Sequence, residues 1–427
     1  MDLSETSIIS TRRMKMLIVA LVAMTVFKVL WAMNSLGSVD TVLFFTFARG
    51  IEKFGFINLY AIDVRFNHTP LTAGFASLLC RISAKDPLVF ATLLRLVCIA
   101  ADVAVVASLL RWRAKLGNRP AWWALILFAA SPVSLMVSGF HGNVDPIMIA
   151  VLFFAVVAAA HEKPILCGLL FGLASNVKIV PIVLAPVFIF FWLARSGAWR
   201  FAVASGTVML AGWSWPLLMC PREYIHNVFG YGSTWGVWGI TYLFHLSGSP
   251  DMQTIDFKGL SAAQNLIATV LKCVLIGGIA LVGWLRRKAA PSEFAATLGI
   301  AWLVFFAFAP GVGVQYMVWA APFLLLLSAR SYAVITAAST VFLFAFYQST
   351  SETPFPWDFA IPLGPETPLW SAWGTVAWLS FCAVLAVHLW QRRHVFSRGK
   401  SRGNAGGVPI SHLNPNPHRN LTLAAED

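Results

Sequence analysis

The chain has 427 residues, of which 58% are hydrophobic and only 11% charged, with 18 Trp and 33 Phe. That balance excludes a soluble globular domain, and the lack of two-residue alternation over strand lengths excludes a β-barrel. A formal net charge of +13 does not point to nucleic acid, because the basic residues flank apolar runs, at Arg12, Arg13 and Lys15, Arg111 to Arg119, Arg286 to Lys288 and Arg392 to Arg402, where they meet anionic headgroups and set orientation.

Twelve apolar stretches run over 16–33, 88–110, 120–138, 146–160, 164–177, 179–194, 199–218, 262–285, 292–309, 315–328, 331–347 and 369–390. They approach the roughly 20 residues that a helix needs to cross the hydrocarbon, and they predict an all-α polytopic membrane bundle of about 12 spans. An even count puts both termini in the cytoplasm and leaves Lys163, Arg195, Arg200 and Arg330 on that side with the other strongly basic groups. The first run lacks a small-residue cleavage site and reads as an uncleaved span in which Lys28 either snorkels or faces the protein interior.

The first outer loop, 34–87, is expected to be structured. It holds a mixed apolar and charged stretch over 39–56 and a run at 71–80 that is too short to cross, and both read as interfacial helices. Pro146, Pro164, Pro181 and Pro186 start or interrupt short runs, so the fourth to sixth helices are broken and some stop short of a full crossing. Aromatic outer loops follow at 219–261 and 348–368. From 396 the composition is that of a disordered cytoplasmic tail, which leaves 1–395 as a single transmembrane domain. Six cysteines are spread singly without metal spacing and read as small buried hydrophobes. No internal repeat stands out, which weighs against an inverted-repeat transporter.

Polar clusters fall on the outer side of this topology. Asp40 follows the first span; a carboxylate partly desolvated there has a raised pKa and acts as a general base on a hydroxyl, while the ordinary alternative is a helix-capping role. Arg65-Phe66-Asn67-His68-Thr69-Pro70 sets cations and an amide beside a helix start, which suits a lipid phosphate or a headgroup-anchored loop. His141-Gly142-Asn143-Val144-Asp145-Pro146 is either a polar site at membrane depth or ordinary turn chemistry. Lys178 adds a cation at the next outer junction, as a site residue or a snorkelling anchor, and Gln315 and Tyr316 with Trp319 add a polar and aromatic group. Arg95, Asp102 and Lys272 lie within spans and are expected to pair in the interior.

The order of these motifs resembles that of the C-type glycosyltransferases, and more narrowly the glycosylphosphatidylinositol-type mannosyltransferases and their bacterial polyprenyl-phosphate-mannose-dependent relatives. Val39-Asp40-Thr41 supplies the acidic residue of the first outer loop, and His68-Thr69-Pro70-Leu71 stands where the family has an aromatic or basic residue before Thr-Pro-Leu. His141-Gly142-Asn143-Val144-Asp145 is similar to an Arg-Gly-Asn-Ala-Glu stretch, Lys178-Ile179-Val180-Pro181 to Lys-Ile-Tyr-Pro, and Gln315-Tyr316 follows. Position 38 is Ser where the family often has a second acidic residue, and His141 replaces a common Arg.

The resemblance implies transfer of a hexose, with mannose favoured, from a polyprenyl-phosphate donor to a hydroxyl of a lipid- or glycan-linked acceptor, with inversion, and it implies Asp40 as general base. Arg65, His68 and Lys178 are then the candidates for the donor phosphate, and Asn67, His141, Asn143, Asp145, Gln315 and Tyr316 those for sugar and acceptor. No metal and no cofactor are expected, membrane lipids are the surroundings, and nucleic acid is not a partner. The expected location is a bacterial inner membrane with the site on the periplasmic face. The alternative is a transporter or flippase of lipid-linked sugar, which should place polar residues near the midplane and on both faces.

Overall fold

The computed structural model describes residues 3–112, 120–230, 234–253, 259–361 and 370–402. The chain divides into Met1–Leu385 and Ala386–Asp427, and the contacts below lie within the first unit. Its helices in chain order are α1 (Leu3–Met33), α2 (Val39–Phe54), α3 (Phe56–Ile62), α4 (Pro70–Ile82), α5 (Pro87–Arg111), α6 (Trp122–His141), α7 (Asp145–Ala160), α8 (Pro164–Val177), α9 (Val180–Leu193), α10 (Ala198–Met219), α11 (Ala262–Leu285), α12 (Pro291–Phe308), α13 (Val314–Leu327), α14 (Ala329–Thr350) and α15 (Trp370–Arg402). Short helical turns at Pro221–Tyr224, Ile225–Phe229 and Gly239–His245 lie between α10 and α11.

The protein is an all-α integral membrane bundle. Among the described residues, eight helices are long and apolar enough to cross a membrane: α1 from Thr11, α5, α6, α10, α11, α12, α14 and α15 from Ser371. The other four apolar runs expected from the sequence form α7, α8, α9 and α13, which are shorter helices. Proline sets several of these starts, with Pro146, Pro164 and Pro181 in the first turns of α7, α8 and α9. The first of these short helices and α12 are buried almost all round, as expected for segments with no polar face. By contrast α10 and α11 expose large apolar residues such as Leu210, Leu218, Leu266 and Leu285 on their outer faces, which suits contact with lipid.

Helix contact in lipid gains little from apolar burial and depends on close packing. Gly168 and Gly172, one turn apart on α8, supply it against α10: a Cβ at these positions would lie 2.5 Å from the Phe201 carbonyl oxygen and 2.8 Å from that of Ser205. The charged side chains Lys28, Asp102 and Arg95 inside the spans find partners. Lys28 faces the interior, with Nζ 2.7 Å from Asp102 Oδ2, and the Ser134 hydroxyl bonds to both. Arg95 is fully buried and donates to the carbonyls of Ala91, Ala32 and Ser35 and, at 2.8 Å, to Ser35 Oγ. Carbonyls at the end of α1 carry partial negative charge, which is what this cation meets among the described residues in place of a carboxylate.

Residues 34–87 hold α2, α3 and α4. Their side chains Phe47, Tyr60, Phe66 and Ala73 pack with Trp213 at the end of α10 and with Tyr224 and Val228 beyond it. Just before α2, the strand β1 (Gly37–Ser38) pairs in parallel with β2 (Phe359–Ala360), which ties the first loop to the segment after α14. Of the six cysteines, Cys80, Cys98, Cys167 and Cys220 are buried, but Cys273 is exposed on α11. The tail expected from 396 falls on the end of α15 and on 403–427; the latter, with 113–119, 231–233, 254–258 and 362–368 of the expected loops, lie outside the described residues.

Candidate active site

The ends of α1, α6 and α8 and the starts of α2, α7 and α13 meet around Asp40. The chain leaves α1, and Ser38 caps α2: its Oγ accepts from the Asp40 backbone N–H at 3.2 Å and donates to the His141 carbonyl oxygen at 2.7 Å. Thr41 Oγ1 donates to the same carbonyl at 2.9 Å. The cap is thus Ser38, and the Asp40 side chain in the first turn of α2 is left to point into the site. On the facing side, α6 ends in a π-helical turn, Leu135–His141, and Gly142 stops it in the left-handed region at φ 76°. Such a widened turn shifts the phase of the last residues and is frequent at functional sites. Here it presents the His141 ring to Asp40.

The Asp40 carboxylate is asymmetric. Oδ2 accepts from Asn143 Nδ2 at 2.6 Å and from Gln315 Nε2 at 3.3 Å, and lies 3.0 Å from His141 Nε2. Oδ1 has no hydrogen-bond partner among the described residues, and the side chain keeps 25% exposure. Asn143 is held in turn by accepting from the Val144 N–H at 2.7 Å through Oδ1. Behind His141, Nδ1 lies 2.9 Å from the hydroxyl of Tyr347 on α14.

The expected rise of the Asp40 pKa is not what the structure shows. Burial raises it, but the electrostatic attraction of His141 and its hydrogen bond, the Asn143 hydrogen bond and the Lys178 charge together outweigh burial and lower it to about 2. Asp40 is therefore ionised throughout the physiological range. His68 moves the same way for other reasons: burial, then the Lys178 charge, lower it to about 3 against the opposing pull of Asp40, so its ring is neutral.

A second layer lies beside the first. Asp145 opens α7, where the helix dipole favours a carboxylate, and it is fully buried. Its two oxygens accept from Lys178 Nζ at 2.9 and 3.0 Å, and Oδ1 also accepts from Trp319 Nε1. Lys178 follows α8 in extended conformation and keeps 12% side-chain exposure. Its ammonium stands 4.9 Å from the centroid of the Tyr316 ring, which stacks on Trp319 at 3.7 Å. Because Asp145 has no exposure, its geometry suits holding Lys178 rather than touching a substrate.

The start of α4 docks on the end of α8. The hydroxyl of Thr69 donates to the Asn176 carbonyl and that of Thr72 to the Val177 carbonyl at 2.6 Å, which satisfies two terminal carbonyls of α8. This contact brings His68 toward Lys178, with the His68 ring on Phe44 at 4.4 Å.

Seven of the residues singled out in the sequence meet here: Asp40, His141, Asn143, Asp145, Lys178, Gln315 and Tyr316, with His68 at their edge. Arg65 does not join them. It pairs with Asp63 at 2.8 Å with 60% of its side chain exposed, a bond made two residues away within its own loop. Asn67 is half-buried, and its side chain has no hydrogen-bond partner among the described residues. Tyr347 was not legible in the sequence, where it is one aromatic residue in an apolar span.

A search of curated proteins returns no match to the chain. The sequence model of glycosyltransferase family 87 matches residues 68–310, a stretch that includes His68, His141, Asn143, Asp145 and Lys178 and lies between Asp40 and Gln315. With more than half of its 427 residues matched, and with helices that can span a membrane on either side of the site, the chain belongs to glycosyltransferase family 87.

Proposed function

We propose that this glycosyltransferase moves a hexose, with mannose as the favoured sugar, from a polyprenyl-phosphate donor to a hydroxyl of a lipid- or glycan-linked acceptor, with inversion at the anomeric carbon. The observation that carries the reading is the Asp40 carboxylate, with one oxygen held by three side chains and the other unpaired among the described residues. The acceptor hydroxyl gives its proton to Asp40 as its oxygen attacks the anomeric carbon. The carbon–oxygen bond to phosphate breaks in the same displacement, and the electron pair leaves with the polyprenyl phosphate.

A carboxylate with a pKa of about 2 is a weak base toward a ground-state alcohol. It suffices where the sugar carries oxocarbenium character, because the attacking hydroxyl becomes acidic only as the new bond forms. Lys178 is the cation assigned to the donor phosphate, with one N–H left beyond the two directed at Asp145. His68 is neutral and would add a hydrogen bond rather than charge. Gln315, Asn143 and Tyr316 would border sugar and acceptor, and Arg65 has no part in this arrangement. The distribution of basic loops favours a site on the extracytoplasmic face, and the resemblance to bacterial polyprenyl-phosphate-dependent enzymes favours a bacterial inner membrane with that face periplasmic.

The test is Asp40→Asn at normal membrane abundance, assayed for sugar transfer from a synthetic polyprenyl-phosphate mannose and, in parallel, from a nucleotide sugar. We expect transfer from the lipid-linked donor alone, falling on the order of a thousandfold in the variant. Full activity of the variant would remove Asp40 from the mechanism, and transfer from the nucleotide sugar would overturn the donor class.

A further inference from the structure

We propose that Tyr347 is a positioning residue for the transfer: by donating its hydroxyl proton to His141 Nδ1, it locks the imidazole in the tautomer whose Nε2–H holds Asp40 Oδ2, and so keeps Oδ1 as the proton-accepting oxygen. The inference rests on the reading of Asp40 as the base and extends it to a residue 206 positions away from His141 in the chain.

The argument runs through donors and acceptors. An ionised carboxylate only accepts, so the 3.0 Å contact with Asp40 requires a proton on His141 Nε2. On the other side of the ring, Nδ1 stands 2.9 Å from the Tyr347 oxygen. Tyr347 is fully buried, and the rings around it are apolar ones, Phe140, Phe346 and Trp357. His141 Nδ1 is its only hydrogen-bond partner among the described residues. A buried phenol proton without a partner is costly, so it is directed at Nδ1, and a second proton on that nitrogen would leave the phenol proton with no acceptor. The pair favours a single orientation of the ring, with Nε2–H toward Asp40 and Nδ1 toward the phenol.

The surroundings agree with that assignment. The ionisable and polar groups facing the pair come from five elements: Asp40 from α2, Arg95 from α5 through the Phe140 carbonyl, Asp145 from α7, Lys178 after α8, and Gln315 from α13. Asp145 and Lys178 satisfy each other, and the guanidinium of Arg95 is spread over carbonyls. Among the described residues, Asp40 and Tyr347 are then the two groups that hydrogen-bond directly to the His141 ring. The His141 side chain has 5% exposure, so bulk water does not choose its tautomer.

The experiment compares wild type, Tyr347→Phe and Asp40→Asn in lipid nanodiscs, each labelled with 15N-histidine. The imidazole signals are assigned with a His141→Gln variant, and transfer is measured as a function of pH from synthetic polyprenyl-phosphate mannose. We expect wild-type His141 to show a protonated Nε2 and a hydrogen-bonded, unprotonated Nδ1 at neutral pH. In Tyr347→Phe we expect the Nδ1 signal to shift, kcat to fall about tenfold, the size of one lost buried hydrogen bond, and KM to stay within about twofold. A wild-type ring protonated on Nδ1, or a Tyr347→Phe enzyme with an unchanged His141 spectrum and pH profile, would overturn the proposal. Full activity in Asp40→Asn would instead sink the assignment of the base, and the tautomer measurement would still report on Tyr347. Unchanged abundance and melting temperature of Tyr347→Phe are checked alongside, and the His141 signals separate a tautomer effect from a general loosening of the fold.

Discussion

Gly142 presses against Thr41: a Cβ built on the glycine would lie 2.2 Å from Thr41 Oγ1, the atom that holds the His141 carbonyl. Two segments about a hundred residues apart in sequence are thereby set at a fixed spacing, with Asp40 on one and His141 on the other. The glycine is needed twice over, because its φ of 76° is also a conformation that other residues adopt only with strain. Gly142→Ala is expected to destabilise the protein by about 1–3 kcal/mol and to reduce transfer more than tenfold, since the clash is relieved by moving α2 away from His141. Thermal unfolding and initial rates in nanodiscs measure both, and an unaltered rate would show that this spacing does not matter.

The ion pair of Asp145 and Lys178 lends itself to a double-mutant comparison. Asp145→Asn leaves a largely buried ammonium without its counter-charge and should cost about 3–5 kcal/mol. The double variant Asp145→Asn, Lys178→Met should recover most of that stability but remain inactive, because the cation assigned to the donor phosphate is gone. Arg65→Ala serves as the contrast, with a rate within about threefold of wild type, as its exposed pairing with Asp63 suggests. Recovery of transfer by the double variant would take Lys178 out of the site.

Acid should affect Asp40 late. Its folded value of about 2 lies below the ordinary 3.8, so the stability gained from ionised Asp40 is fully present above 3.8 and is lost as pH falls through about 2. His141→Ala removes the attraction and the hydrogen bond that counter burial, and Asp40 then moves up. The acid limb of the rate profile in His141→Ala is expected at higher pH than in wild type by about one unit or more, each unit being a tenfold change in the ionised fraction. A rate–pH profile over the range in which the protein stays folded checks this, and coincident acid limbs would contradict it.

Most of the helical architecture was legible because a membrane span is a local property. Length and apolarity over a window of about 20 residues identify it, and the proline positions identify the helices that fall short. Asp40, His141, Asn143, Lys178 and Gln315 were legible for a related reason, since polar groups at the edges of apolar runs stand out against their neighbours. Arg65 carried the same kind of signal, but its partner Asp63 was two residues away, and that local pairing turns it out of the cluster. Burial alone, which is what a sequence shows, raises the Asp40 pKa, whereas its sign is decided by His141, Asn143 and Lys178 acting together.

Chain composition by itself determined that this protein is an apolar helical bundle, with polar junctions where spans begin and end. Tertiary structure alone decided that Lys28 meets Asp102, that Tyr347 stands behind His141, and which oxygen of Asp40 stays open. The division follows from range: hydrophobic periodicity acts within one helix, while hydrogen bonds between residues 74 to 275 positions apart exist only once several helices have packed and their directions are set.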